Sequence, residues 1–353
     1  MQSRLLLALL PFACPVLAQS YTVSPLANTT TQGTASNPIP FQYAASRYQQ
    51  IHGDLKGASK VMQGMSVRRG SGTQTNAIAR TLDLTVTFAN SDITKVSATF
   101  AANYVGTPTT VFPKTSVNFP DWTVSAGSPE PWSIVVPFTT PFVYIGTNDL
   151  LWEWAVENNT GSTKSYAADV YNGISADQVS STNVILGTSC KATGQTNPMS
   201  YGPRCYTSRA LNSFYFKGTA LYGAINSPSA ILLGVTNPNL SLPGFCSNIY
   251  TDGLIAFPST ANATIGSFAT PDLLIPYNPG FVGAKLYSQA VSADIGQPGF
   301  PVALSAGVEN TLPALAAPGV VPIVRAFDIT SATIPVAGFV NFYAYGIIVR
   351  FTH

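Results

Sequence analysis

Charge is what this sequence has least of. Charged side chains make up 9% of its 353 residues, against roughly a quarter in an ordinary soluble domain. Solubility therefore rests on hydroxyl and amide groups, which Thr, Ser and Asn supply in quantity. No basic run is longer than the pair Arg68-Arg69, which excludes the clustered positive surface that nucleic-acid binding needs. Histidine is nearly absent, with only His52 and His353, and the four cysteines are not spaced as a zinc site requires. Asp and Asn are scattered singly instead of alternating as in calcium loops. No metal and no cofactor is expected. No Gly-x-Ser-x-Gly elbow leads into a helical pattern, and no apolar run reaches the roughly 20 residues that span a bilayer as a helix.

The informative part of what is present lies at the start. Arg4, the apolar run Leu5 to Leu10 and the step Val16-Leu17-Ala18 before Gln19 read as a cleavable export signal over residues 1–18. Pro11 and Pro15 interrupt it too early for an anchor, and Pro11-Phe12-Ala13 lacks the leucine expected ahead of a lipidated Cys14. The expected location is extracellular or at the cell surface. The carboxyl end, Ile347 to His353, reads as a strand without a sorting tail, so release or non-covalent retention is expected. Cys14 leaves with the signal, and Cys190, Cys205 and Cys246 remain. Three cannot all pair, and an oxidising compartment favours one disulfide, Cys190 with either Cys246 or Cys205.

Period-two alternation broken by Gly, Pro, Asn and Asp recurs along the chain, the pattern of short strands joined by turns. In residues 81–88 it places Leu82, Leu84, Val86 and Phe88 on one face. Comparable runs are Val96 to Tyr104, Trp132 to Val136, Leu150 to Val156, Leu211 to Lys217, Ala230 to Val235, Ala284 to Val291 and Val340 to Phe351. The 27 prolines would break long helices. An all-β protein follows, with two consecutive jelly-roll-like β-sandwich domains. Gln19 to Pro40, rich in Thr, Ser, Asn and Pro, reads as an extended arm, followed by a first sandwich over 41–186 and a second over 187–353.

Two groups of residues carry a resemblance. Arg47-Tyr48-Gln49-Gln50-Ile51-His52, followed by Val61-Met62-Gln63-Gly64-Met65-Ser66-Val67-Arg68, resembles the opening of a family of exported bacterial β-sandwich proteins. Gly187-Thr188-Ser189-Cys190, Leu232-Leu233-Gly234, Phe245-Cys246, Ile275-Pro276 and Gly283 to Gln289 with Asp294 are similar to a second module of uncharacterised secreted bacterial proteins. The resemblance implies export and a β-sandwich and no particular activity. It also implies that Cys190 pairs with Cys246, leaving Cys205 over. Many such relatives carry a surface-sorting tail that this chain departs from. The sequons at Asn28, Asn158, Asn239 and Asn262 are read as incidental under a bacterial resemblance.

The densest chemical constellation is Asp149 to Glu157. Alternation puts Glu153 and Glu157 on one strand face and Trp152 and Trp154 on the other. Residues four apart on a strand lie about 13 Å apart along it, wider than the roughly 5–10 Å of a glycosidase carboxylate pair. Exposed, Trp152 and Trp154 would form a sugar-stacking platform; the competing expectation is that they fill the core while the glutamates face solvent. Phe214, Tyr215 and Phe216, or Phe339, Phe342, Tyr343 and Tyr345, face the same alternative of partner surface or core. His52 beside Asp54 suggests an acid–base pair but lacks a nucleophile elbow. Weakly charged surfaces repel one another little and pack readily into filaments or layers. The leading expectation is a non-catalytic extracellular structural or adhesive protein whose partner is a further copy of itself, with the arm adding a strand to a neighbour. The alternatives are a polysaccharide-binding protein and a polymer hydrolase.

Overall fold

A computed structural model describes residues 19–353, so the expected export signal and Cys14 lie outside the described residues. The protein is all-β, with multiple antiparallel sheets and helix limited to one turn at Ile174–Asp177 and short 3-10 turns. Among the described residues no helix is long and apolar enough to cross a membrane.

The first sandwich pairs two sheets. A six-stranded sheet runs in the order Phe339–Asn341, Ile323–Asp328, Ser46–His52, Asp149–Glu157, Arg80–Ser91, Val105–Phe119. It faces a four-stranded sheet ordered Tyr21–Ser24, Val349–Thr352, Lys60–Val67, Ile134–Tyr144. Leu82, Leu84, Val86 and Phe88 are fully buried between them, because side chains two apart on a strand share a face. Met65, Trp152, Trp154 and Phe351 belong to the same core. A small sheet of Ala35–Asn37, Ala168–Asn172 and Tyr345–Ile347 closes one end.

The second sandwich joins a middle sheet to an outer sheet. The middle sheet holds Gln178–Ser180, Ser200–Ser208 and Ser213–Leu221, with Phe268–Ala269 and Leu273–Pro276 both pairing with the last of these. The outer sheet runs Thr182–Leu186, Gly307–Thr311, Lys285–Ala293, Pro228–Gly234, Ile255–Thr260. Ile51, Ala89 and Leu151, on the outer face of the six-stranded sheet, pack with Tyr206 and Tyr215 of the middle sheet in one buried cluster. The two sandwiches are thereby stacked as four layers.

Several expectations are corrected. Two consecutive domains are not what forms: Ile323–Asp328 pairs with Ser46–His52, and Val349–Thr352 lies between Tyr21–Ser24 and Lys60–Val67. The second sandwich is an insertion into the first. Alternation marks a strand without naming the sheet it will join, so it cannot reveal this return.

The arm is not free. Tyr21–Ser24 and Ala35–Asn37 are sheet strands of their own chain. Between them, Arg68 donates to the Asn28 and Thr31 carbonyls, and Gly33 N donates to Asp169 at 2.9 Å. Arg68 and Asp169 form an ion pair of 2.7 Å with both side chains fully buried. Burial pushes the Asp169 carboxyl up, with Arg68 opposing.

Val96 to Tyr104 is not a strand but a loop with a 3-10 turn at Phe100–Asn103. The Asn103 side chain holds the Ser97 N–H and C=O, and such bonds compete with a sheet ladder. Val340 to Phe351 likewise divides among three short strands in three different sheets.

Candidate functional site

Strand alternation separates the two tryptophans from the two glutamates as expected. Trp152 and Trp154 are 0% exposed, so no sugar platform exists at either ring. An indole N–H must be satisfied when buried, and here Trp154 donates to Met65 Sδ at 3.0 Å and Trp152 to His52 Nε2 at 2.8 Å. The expectation that both glutamates face solvent fails for Glu153. Its Oε2 receives Gln49 at 2.6 Å and Tyr104 at 2.7 Å, with Arg47 Nε at 3.1 Å. The Phe100–Asn103 turn ties into the same network, since Gln49 donates to the Phe100 carbonyl and Asn103 donates to Gln49. Glu157 stays at the surface and pairs with Lys114 at 2.8 Å. One glutamate thus anchors a covering loop and the other a surface lysine, an arrangement that does not oppose two carboxylates across a substrate.

His52 and Asp54 do come together, through Ser24, a residue that no local motif singles out. Ser24 Oγ lies 2.6 Å from His52 Nδ1 and 2.7 Å from both Asp54 oxygens, while His52 and Asp54 are 3.9 Å apart. The direction of the hydrogen bonds follows from Trp152. An indole N–H can only donate, so His52 Nε2 accepts and the neutral ring carries its proton on Nδ1. Burial pushes the His52 pKa down to about 3, keeping the ring neutral. Nδ1–H then donates to Ser24, and Ser24 donates to Asp54. A nucleophilic serine needs the opposite polarity, with histidine accepting the hydroxyl proton. The cluster is a buried clamp on the amino-terminal strand. The signal that would have found it is the pairing of Tyr21–Ser24 across the sheet, which no local motif records.

Cys190 and Cys246 form a disulfide with Cα atoms 5.6 Å apart. Cys205 is free and buried, and burial pushes its thiol up to about 11. The aromatic run Phe214-Tyr215-Phe216 splits by alternation: Tyr215 stacks on Tyr206 between the sandwiches, while Phe214 and Phe216 point into the second sandwich. Phe342 is buried against Tyr215, whereas Phe339 is exposed and stacks on Phe327. Among the described residues no group of three or more His, Cys, Asp or Glu is arranged to hold a metal. Of the sequons, Asn28 is buried and Asn158, Asn239 and Asn262 are exposed.

What the fold does present to solvent is a set of sheet edges, and they are not alike. An edge strand offers unpaired N–H and C=O groups to any passing strand, and proline, lysine or bulges blunt that tendency. Val105–Phe119 carries Pro108, Pro113 and Lys114 with irregular register, Ile134–Tyr144 carries Pro137 and Pro141, and Ile255–Thr260 carries Pro258. Thr182–Leu186 carries none of these. The whole segment from Gln178 to Leu186 is uncharged and supplies the edge of the middle sheet and then of the outer sheet. Val184 is 51% exposed and Ile185 74%. Ile185 is paired with Val308, whose side chain is buried, so Ile185 lies on the inward face of the outer sheet yet remains uncovered.

No family model matches the chain, and no curated protein sequence matches it. Among solved structures, a β-1,2-glucanase from Parabacteroides distasonis aligns over 76% of this chain at 10% identity and a TM-score of 0.16. The aligned region spans 31% of that enzyme's length. A likeness this slight carries neither fold nor activity from that enzyme to this chain.

Proposed function

We propose that this protein is a secreted, non-catalytic structural or adhesive protein that associates with further copies of itself through the strand Thr182–Leu186. The observation that carries the reading is the contrast among edges: the other edge strands of five residues or more contain proline, and this one is uncharged, proline-free and exposes an apolar side chain on each face, Val184 on one and Ile185 on the other. Antiparallel pairing of two such strands about a two-fold axis would satisfy the open backbone groups and cover Ile185. The sparse surface charge favours close approach of copies, and one disulfide suits an oxidising compartment. The polar clusters support a non-catalytic role, since Ser24, His52 and Glu153 are committed to holding strands and loops. A polysaccharide role at Trp152 and Trp154 is not proposed, because both rings lie inside the core.

A five-residue strand pair is smaller than the roughly 1,200–2,000 Å² of an ordinary stable interface, so association should grow with concentration. Sedimentation velocity and electron microscopy across concentration and salt test this. Dimers are expected for the native sequence, because two-fold pairing of one edge closes on itself, and monomers for the Val184→Lys/Ile185→Lys variant at unchanged thermal stability. Monodisperse monomer for the native sequence throughout, or assembly indifferent to the two lysines, overturns the reading.

A further inference from the structure

The interior of the second sandwich is unevenly filled. One half is packed with small side chains, Ala192, Ala220, Ala224, Ala261, Ala290 and Ala303 among them, which let the sheets approach closely. In the other half Phe214 and Phe216 from the middle sheet face Leu286 and Leu312, and a cavity of about 360 Å³ remains. Small-molecule sites span about 300–1,000 Å³. A void of this size ordinarily costs stability in proportion to its volume, and its lining offers little to hold water, which needs two to four polar partners. Cys205 contributes a thiol to the wall. At the mouth Val235, Ile275 and Phe281 are all exposed. Lys285 stands there too, its ammonium already paired with Glu309 at 2.7 Å.

We infer that this cavity is a binding site for a single acyl chain, with the tail between the sheets and the head group in solvent beside Lys285. Three observations select that class. Apart from the Cys205 thiol and Lys285 at the mouth, and with the Tyr215 ring turned away between the sandwiches, the lining side chains are apolar, so a polar ligand would lose its hydration without replacement. The apolar residues continue outward to an exposed rim, which suits a molecule entering end-on. Lys285 is committed to Glu309, so a head-group charge contributes little and the tail dominates. The site is independent of the Thr182–Leu186 edge and stands whether or not the protein assembles.

The test uses the protein from residue 19 onward, in which Cys205 is the free thiol beside the Cys190–Cys246 disulfide. Sodium laurate and dodecanol are titrated by calorimetry, alongside their six-, eight- and ten-carbon homologues. Saturable one-to-one binding is expected, strengthening about fourfold per added methylene until the cavity is filled. The acid and the alcohol should agree within about tenfold. Bound laurate should slow methanethiosulfonate labelling of Cys205, read by mass spectrometry. Cys205→Leu, inside the cavity, and Ala284→Phe, at its exposed mouth, should each weaken binding more than tenfold. The mouth variant tests the site even if the interior one fails to fold. Absence of saturable binding, binding by the acid alone, an affinity indifferent to chain length, unprotected Cys205, or full affinity in Ala284→Phe overturns the assignment.

Discussion

Replacing Ser24 with alanine tests the clamp that fixes the amino-terminal strand. His52 is fully buried, its Nε2 is occupied by Trp152 at 2.8 Å, and its Nδ1–H has Ser24 as a partner at 2.6 Å. Without the hydroxyl, the next acceptor is Asp54 at 3.9 Å, beyond hydrogen-bond reach. A buried donor left unpaired costs about 1–3 kcal/mol. Asp54 keeps some contact with water, its side chain being 16% exposed, so its own loss adds little. A total near 2 kcal/mol is expected. At roughly 2 °C per kcal/mol for a chain of this size, calorimetry should show a melting temperature about 4 °C lower. Ser20→Ala is the control, because Ser20 meets His353 at an exposed site and should change the midpoint by less than about 1 °C. Nitrogen NMR of the two histidines supplies a second readout, with His52 neutral, protonated on Nδ1 and not titrating near 6.5. A midpoint unmoved by Ser24→Ala, or a His52 ring protonated on Nε2, refutes the reasoning.

Acidity provides the next test. His52 has a folded pKa of about 3, below the usual 6.5, so its contribution is complete above pH 6.5 and is lost as pH falls toward 3. Asp54 has the opposite sign: burial raises it to about 6, so its contribution is complete below pH 3.8 and is lost as pH rises through 6. Between pH 4 and 6 the two oppose each other, and Asp54→Asn should make denaturant-measured stability fall more steeply with acid in that window, by about 3 kcal/mol in all. Equal slopes would contradict the assignment. Arg68→Met leaves Asp169 buried without its partner, and a loss of about 3–5 kcal/mol is expected, with protease cleavage appearing between Asn28 and Gly33; an uncut segment at wild-type stability would contradict the clamp. Reduction of Cys190–Cys246, which are 56 residues apart, should cost about 4 kcal/mol by loop-closure entropy. Urea midpoints with and without reductant measure it.

Local periodicity carried much of the architecture. Leu82 to Phe88 and Leu150 to Val156 declare their buried faces because a pleated strand repeats every two residues whatever sheet it joins. The segregation of Trp152 and Trp154 from Glu153 was legible on the same ground, while the burial of Glu153 was not. That burial depends on a loop from residues 93–104 folding across the outer face of the sheet. Alternation also left Phe214 and Phe216 undecided between surface and interior, since it assigns faces without saying what lies opposite them.

From its own residues the chain determined an all-β fold, strand faces and a surface poor in charge, because these follow from backbone geometry and composition. The pairing of Cys190 with Cys246 was implied by resemblance. Tertiary structure decided the rest. It drew residues 323–352 back across the inserted sandwich, turned an apparent arm into sheet, and brought Ser24 onto His52. It also left Thr182–Leu186 as an open edge and a cavity behind Cys205. Each of these depends on contacts between residues distant in the chain, and those contacts are chosen by the joint burial of whole sheets, which no single segment encodes.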